Sequence, residues 1–246
     1  MSASLLPEVQ ERISRRARRV RIDVQPSGEV VLVIPQRANR QQARKFLADN
    51  APWVRRRLAL MKPVLMPPLR FDGSDQLPIA DRACRLMVSR GRGRGAGSVY
   101  FGEAIELRVP ASYKTPLQFE RLLRRELREQ ARFVAEQLLA EEVARSGLKP
   151  SGLRIGDQRS LWGSCAADGT LSFNWRLLMA PLPVFRYLVV HELCHLRHRN
   201  HSANFWSLVA QLNSDCRASQ DWLQQHGHRL HQILPKTTRS GTTPAP

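Results

Sequence analysis

The chain has 246 residues, 42% hydrophobic and 24% charged, which is enough for one large domain or two small ones with a proper core. No run of 18 apolar residues occurs; the nearest, LLMAPLPVFRYLVV, is broken by two prolines and Arg186, so a spanning helix is excluded and no membrane partner is expected. The formal net charge is +18 with only five lysines, an arginine-rich balance that attracts the phosphates of nucleotides or nucleic acid, although the arginines are spread over the whole length as on an ordinary solvated surface.

The opening MSASLLPEVQERISRR sets its charges behind a very short apolar stretch, the reverse of a secretory signal. Cys84, Cys165, Cys194 and Cys216 show no CxxC spacing. Both features lead us to expect a cytoplasmic chain without disulfides. Residues 1–18 read as a basic arm, loose or briefly helical. VRIDV and EVVLVIP then read as two strands around a turn marked by Pro26 and Gly28. From Asn39, a good N-cap, RQQARKFLADNAPWVRRRLALM reads as helix with an interruption at Pro52. MKPVLMPPLRFDG is a proline-rich linker or crossing loop. QLPIADRACRLMVSR, GSVYF and AIELRVP look like short strands, and RGRGRGAG, between the first two, reads as a flexible hairpin loop.

PLQFERLLRRELREQARFVAEQLLAEEVARSG carries the clearest helical period, with Phe119, Leu122, Leu123, Leu127, Val134 and Leu138 on one face, Pro116 at its start and Gly147 at its end. LRIGD, SLWGSC and TLSFNW read as three strands. A helix from near Pro183 follows, then helical stretches at ANFWSLVAQLN and SQDWLQQHG, and a tail, 233–246, too polar to order.

The chemistry concentrates in HELCHLRHRNH, residues 191–201, which holds four of the chain's seven histidines. His191 and His195 are four apart, about 400° of helical rotation, so both imidazoles leave one face about one turn apart, as two nitrogens of a tetrahedral zinc site must. Glu192 is one step round and can reach a metal-bound water without ligating the metal, which suits a general base. With this composition an H-E-x-x-H arises by chance in about one chain per hundred. A catalytic zinc needs a third protein ligand and an open position. No glutamate follows Glu192, so His201, six residues past His195, is the expected third ligand and Asp215 a distant second. The chain reversal this requires calls for a left-handed residue, expected at Asn200 with help from Arg199. His198 is expected on the surface or behind the ligands, Cys194 as a buried bystander thiol, and His226, His228 and His231 as polar surface.

The stretch from RSLWGSC through LSFNWRLLMAPLPVFRYLVVHELCHLRHRNHSANFW resembles the YgjP-like metallopeptidase family. It matches a WGSC element at Trp162–Cys165, a strand asparagine at Asn174, HELxH at His191–His195 and HSxxFW at His201–Trp206. More loosely, the likeness extends over residues 19–230, and more distantly to SprT-like proteases acting around DNA. At residues 214–216 the family tends to Pro-Asp-Tyr where this chain has Ser214, Asp215 and Cys216. The resemblance implies an α+β fold: a zincin-like core, a small sheet packed on the HExxH helix, behind a β-rich N-terminal region. In residues, that is a domain at 19–232 (β-rich 19–112, catalytic 113–232) between the arm at 1–18 and the tail at 233–246. It also implies a zinc site at His191, His195 and His201.

The expected activity is zinc-dependent peptide hydrolysis on a peptide or protein substrate, with Glu192 activating a zinc-bound water and passing its proton to the leaving amine. A donor to the developing oxyanion is sought among Asn174, Arg176, Tyr187 and Ser164. LSFNW or SLWGSC is expected as the strand on which an extended peptide pairs, with Gly163 allowing close backbone approach and Trp162 and Trp175 as core or cleft wall. Nucleoside-triphosphate pyrophosphohydrolysis, an activity also attributed to the family, is the first alternative. A nucleic-acid-associated protein with structural zinc is the second. Oligomeric state is left unassigned.

Overall fold

The computed structural model describes residues 8–25, 28–60, 68–91, 97–158 and 161–235. The expectations for residues 1–7 of the arm, Pro26, 61–67 of the linker, 92–96 of the arginine–glycine tract and the tail beyond 235 lie outside the described residues. The chain divides into two units, residues 1–65 and residues 66–246.

In the first unit VVLVIP forms β3 (Val30–Pro35), whose first five residues are buried, as expected of a central strand. It pairs antiparallel with β2 (Arg21–Val24) and parallel with β1 (Val9–Ser14). β1 corrects the reading of residues 9–14 as loose arm or short helix. Its VQERIS has no strong strand pattern, but the free edge of β3 supplies the backbone partners that local propensity does not ask for. Asn39 caps α1 (Arg40–Asp49), its side chain accepting from the Gln41 and Gln42 N–H groups at 2.8 and 3.2 Å. The helix breaks at Asn50, and α2 (Ala51–Leu60) restarts with Pro52 in its first turn, where a missing N–H costs nothing. Ala43 packs against Leu32 and Ile34.

The second unit begins with a four-stranded sheet of β4 (Gln76–Ile79), β5 (Arg82–Gly91), β6 (Ser98–Phe101) and β7 (Ala104–Pro110), in the order β4-β5-β7-β6. QLPIADRACRLMVSR is therefore two strands, not one. Ala80 (φ 49°) and Asp81 (φ 66°) both take left-handed conformations and close a two-residue hairpin, while the Ala80 N–H donates to the Leu178 carbonyl at 2.8 Å. Alanine does not advertise such a turn; the contact with Leu178 holds it there.

α3 (Pro116–Ser146) is the expected long helix. Thr115 and Gln118 form a capping box, Pro116 occupies the first position and Gly147, at φ 71°, ends it. Its 31 residues span about 46 Å. The first half buries Phe119, Leu122, Leu123 and Leu127 with the four-stranded sheet; the second half buries Ala135 and Leu138 with the elements that carry the histidines. Those are β8 (Gly152–Gly156), β9 (Gly163–Cys165), β10 (Thr170–Asn174), a 3-10 turn (Trp175–Met179), α4 (Leu182–Cys194), α5 (Ala203–Leu212) and α6 (Cys216–Gln232). The sheet order is β8-β10-β9, parallel then antiparallel. β10 is thus paired on both sides, whereas β9 is an edge. α4 is apolar nearly all round and packs against α3, α5, α6 and β9, as a central helix must. The architecture is mixed α+β, and no helix among the described residues is long and apolar enough to cross a membrane.

Candidate metal centre

α4 runs straight through LPVFRYLVVHEL, so His191 and His195 project from successive turns of one helix. His201 arrives from the other direction, immediately before Ser202, whose side chain caps α5 by accepting from the Phe205 N–H at 3.4 Å. One ring nitrogen from each of the three lies within 4.8 Å of the others, and the Nε2 atoms of His191 and His201 are 3.1 Å apart. Two nitrogens about 2.0–2.1 Å from one tetrahedral ion stand about 3.3 Å apart, so the donor set fits zinc in chemistry and the His191–His201 pair fits it in spacing.

The surroundings fix which nitrogens face the cluster. His195 Nδ1–H donates to the His198 carbonyl at 2.9 Å; a carbonyl only accepts, so the Nε2 of a neutral ring keeps its lone pair. The Tyr187 hydroxyl sits 3.2 Å from His191 Nδ1 and does the same for that ring if it accepts there. Burial, with the neighbouring imidazoles adding repulsion, depresses His191 to about 4, and burial also lowers His201. At neutral pH these two rings are therefore uncharged donors. Phe205 stacks on His195 (centroids 4.5 Å apart, 27° between planes), and Trp206 stacks on His201 (5.5 Å, 22°).

The reversal between His195 and His201 corrects the expected left-handed Asn200: no residue there has positive φ. α4 instead tightens, with His195, Leu196 and Arg197 N–H groups bonded three residues back to Glu192, Leu193 and Cys194. Arg199 then fastens the loop to the β9–β10 turn, donating to the carbonyls of Ala166 at 2.8 Å and Ala167 at 3.1 Å. A long side chain does what a special backbone conformation was expected to do.

Glu192 is 5% exposed, and burial pushes its carboxyl up to about 7. β9 closes over it. A Cβ added at Gly163 would lie 2.7 Å from Glu192 Oε1 and 2.8 Å from its Cγ, so only glycine lets the strand approach this carboxylate. Gly163→Ala must displace Glu192 and is expected to lower kcat by about 10²-fold, the order of effect of a 1 Å misplacement, without loss of bound metal. Steady-state kinetics with metal analysis on the same sample checks this; unchanged kcat would mean the carboxylate's position is not set by β9.

The other sequence candidates fall in distinct places. Asn174 is fully buried; its Oδ1 accepts from the Arg176 N–H at 3.0 Å and its amide donates to the Gln158 carbonyl at 2.8 Å. Arg176 is 2% exposed and donates to Asp157 and to the carbonyls of Ile233 and Leu234. Both therefore spend their donors inside the fold. Tyr187 lies on the Nδ1 side of His191, away from the Nε2 edge. Ser164 pairs with Ser172 and, by strand alternation, points to the sheet face opposite Gly163 and Glu192. Asp215 is exposed and outside the cluster; Cys194 is fully buried. His198 contributes its carbonyl, not its ring. His231 is no surface residue: it packs on Trp162 at 4.4 Å, and burial depresses it to about 4. His228 is likewise only 4% exposed. The sequence singles out both Arg199 and Gly163, but nothing local in it signals that Arg199 reaches the β9–β10 turn or that Gly163 meets Glu192.

Residues 18–226 match the family model described as YgjP-like, metallopeptidase domain. No curated protein matches the chain. Among solved structures, the chain is similar to that titled "Crystal structure of the metallopeptidase zymogen of Pyrococcus abyssi abylysin", at 22% identity and TM-score 0.34, over 36% of this chain and 90% of that one.

Proposed function

The chain belongs to the YgjP-like metallopeptidase family, and from that premise we propose a zinc-dependent peptidase of the HExxH type on a zincin-like core, with His191, His195 and His201 holding the ion and Glu192 moving the proton. In this reading residues 19–232 are the metallopeptidase domain, with the site in 113–232. The observation that carries it is the convergence of three imidazole nitrogens within 4.8 Å, with a buried carboxylate on the residue after the first of them. Three nitrogen donors favour zinc over magnesium, which prefers oxygen. A zinc ion there supplies Lewis acidity towards a carbonyl oxygen and makes water acidic near neutral pH.

The chain's own groups do the rest. Glu192 takes a proton from the attacking water and returns it to the departing amine nitrogen. β9, the free edge beside α4, offers unpaired backbone groups to an extended peptide; the doubly paired β10 does not. Tyr187 and the His198 carbonyl hold the rings in register. Phe205 and Trp206 wall the cluster with apolar surface.

The test is a quenched-fluorescent peptide library offered to chelator-stripped protein before and after one equivalent of zinc, with pyrophosphate release from nucleoside triphosphates measured in parallel. Zinc-dependent cleavage without pyrophosphate release is expected. Pyrophosphate release without cleavage would replace the peptidase by the nucleotide-hydrolysing alternative.

A further inference from the structure

Five arginines of α3, at positions 121, 124, 125, 128 and 132, line an open cleft of about 350 Å³ beside Ile155 of β8, with Glu129 the one carboxylate in its wall. Their spacing of three and four keeps them on one side of the helix, and from Arg121 to Arg132 the row is about 16 Å long. Internal partners neutralise only part of it. Arg124 is held by Glu120 and by the carbonyls of Leu234 and Pro235, with Asp157 at 4.0 Å; Arg125 is held by Glu126 and the Gly97 carbonyl. Arg132 reaches Glu129 only at 3.7 Å. Arg121 and Arg128 make no ion pair or hydrogen bond among the described residues. Arg124 and Arg128 also crowd Arg176, where their charge opposes its own. Like charges at this spacing cost a helix some stability, and an anion beside Arg121 and Arg128 would relieve that repulsion.

We propose that this cleft binds the phosphodiester backbone of duplex nucleic acid, independently of base sequence and of the metal centre. The length of the row favours a polyanion over a single phosphate: a duplex carries one charge per about 1.7 Å of axis, so several phosphates fall along about 16 Å. The residue type favours phosphate, since guanidinium forks pair with its oxygens in bidentate fashion. The absence of any aromatic side chain from the lining argues against single strands, whose bases need stacking platforms. With only arginines and one glutamate as polar groups, the cleft is built for backbone positioning rather than base readout.

The experiment is fluorescence anisotropy of the full-length protein with labelled 20-base-pair duplexes of two unrelated sequences, over 50–200 mM salt. Both duplexes are expected to bind equally, with log affinity falling against log salt at a slope of about −3.6 if four phosphates are neutralised. Arg121→Ala with Arg128→Ala breaks no ion pair and is expected to make that slope shallower by about two. The same charge removed from α2, by Arg55→Ala with Arg56→Ala, is expected to leave it unchanged. Thermal unfolding checks that the first double variant folds; if it does not, Arg128→Gln alone is expected to remove about one unit of slope. No binding, equal effects of the two double variants, a preference for one sequence, or displacement of the duplex by polyglutamate at equal charge concentration would each overturn the proposal, the last in favour of an acidic protein partner.

Discussion

Glu192→Gln is expected to lower kcat by about 10²–10⁴-fold while bound zinc stays at one equivalent, the range for loss of a positioned general acid–base group. Glutamine keeps the volume that fits beneath Gly163 but can neither take nor return a proton. The same variant makes a second expectation with a definite sign. Burial raises the Glu192 carboxyl from the ordinary 4.5 to about 7, so the folded protein without metal holds a proton that the unfolded chain releases above pH 4.5. Between pH 4.5 and 7 the unfolded state binds fewer protons, and stability falls as pH rises, by about 3 kcal/mol across the window. Zinc-stripped Glu192→Gln lacks this loss. Its urea midpoint should exceed that of zinc-stripped wild type at pH 8, with the advantage fading towards pH 4.5. A variant with wild-type kcat would remove Glu192 from the chemistry; a stability difference of opposite sign would mean that its burial is not what governs its ionisation.

The parts of this molecule that can be read from sequence are those whose cause is local. Thr115, Pro116 and Gly147 delimit α3 because each acts within four residues, and Asn39 caps α1 for the same reason. The closeness of His191 and His195 is legible because helical rotation is fixed, and the expectation that His201 joins them, which rests on the absence of any later glutamate, agrees with the convergence of the three rings. Features decided by distant partners are not legible. β1 forms because β3 has an edge to fill, and the Ala80–Asp81 turn persists because Leu178 receives the Ala80 N–H. Asn174 and Arg176 look functional beside a metal motif, since polar groups in an apolar neighbourhood usually have work to do. Their work is internal: one caps the 3-10 turn, and the other ties residues 233–234 to Asp157. The Gly163–Glu192 contact joins residues 29 apart and exists only once β9 lies against α4.

His201→Ala is expected to weaken zinc binding by more than the ~10–100-fold typical of losing a group that merely orients a ligand. In the proposed site His201 would supply one of three nitrogens, and the two that remain would leave a tetrahedral ion half coordinated. The readouts are metal content by mass spectrometry after dialysis and the zinc-induced rise in unfolding temperature. For wild type at 100 times Kd that rise corresponds to about 2.7 kcal/mol, and the variant should show little of it at the same zinc concentration. Two controls isolate the ligand from its neighbourhood. His198→Ala removes a ring but keeps the carbonyl that orients His195, so zinc should remain. Asp215→Ala removes the rival carboxylate, which is exposed and outside the cluster, so zinc should remain there too. Arg199→Ala should fall between these limits: His201 is intact, but the loop loses its two bonds to the β9–β10 turn and must be ordered by the ion itself. Full zinc retention by His201→Ala would leave the site with two histidines and an unassigned third ligand; loss of zinc from Asp215→Ala would identify that ligand and reverse the order of the two candidates.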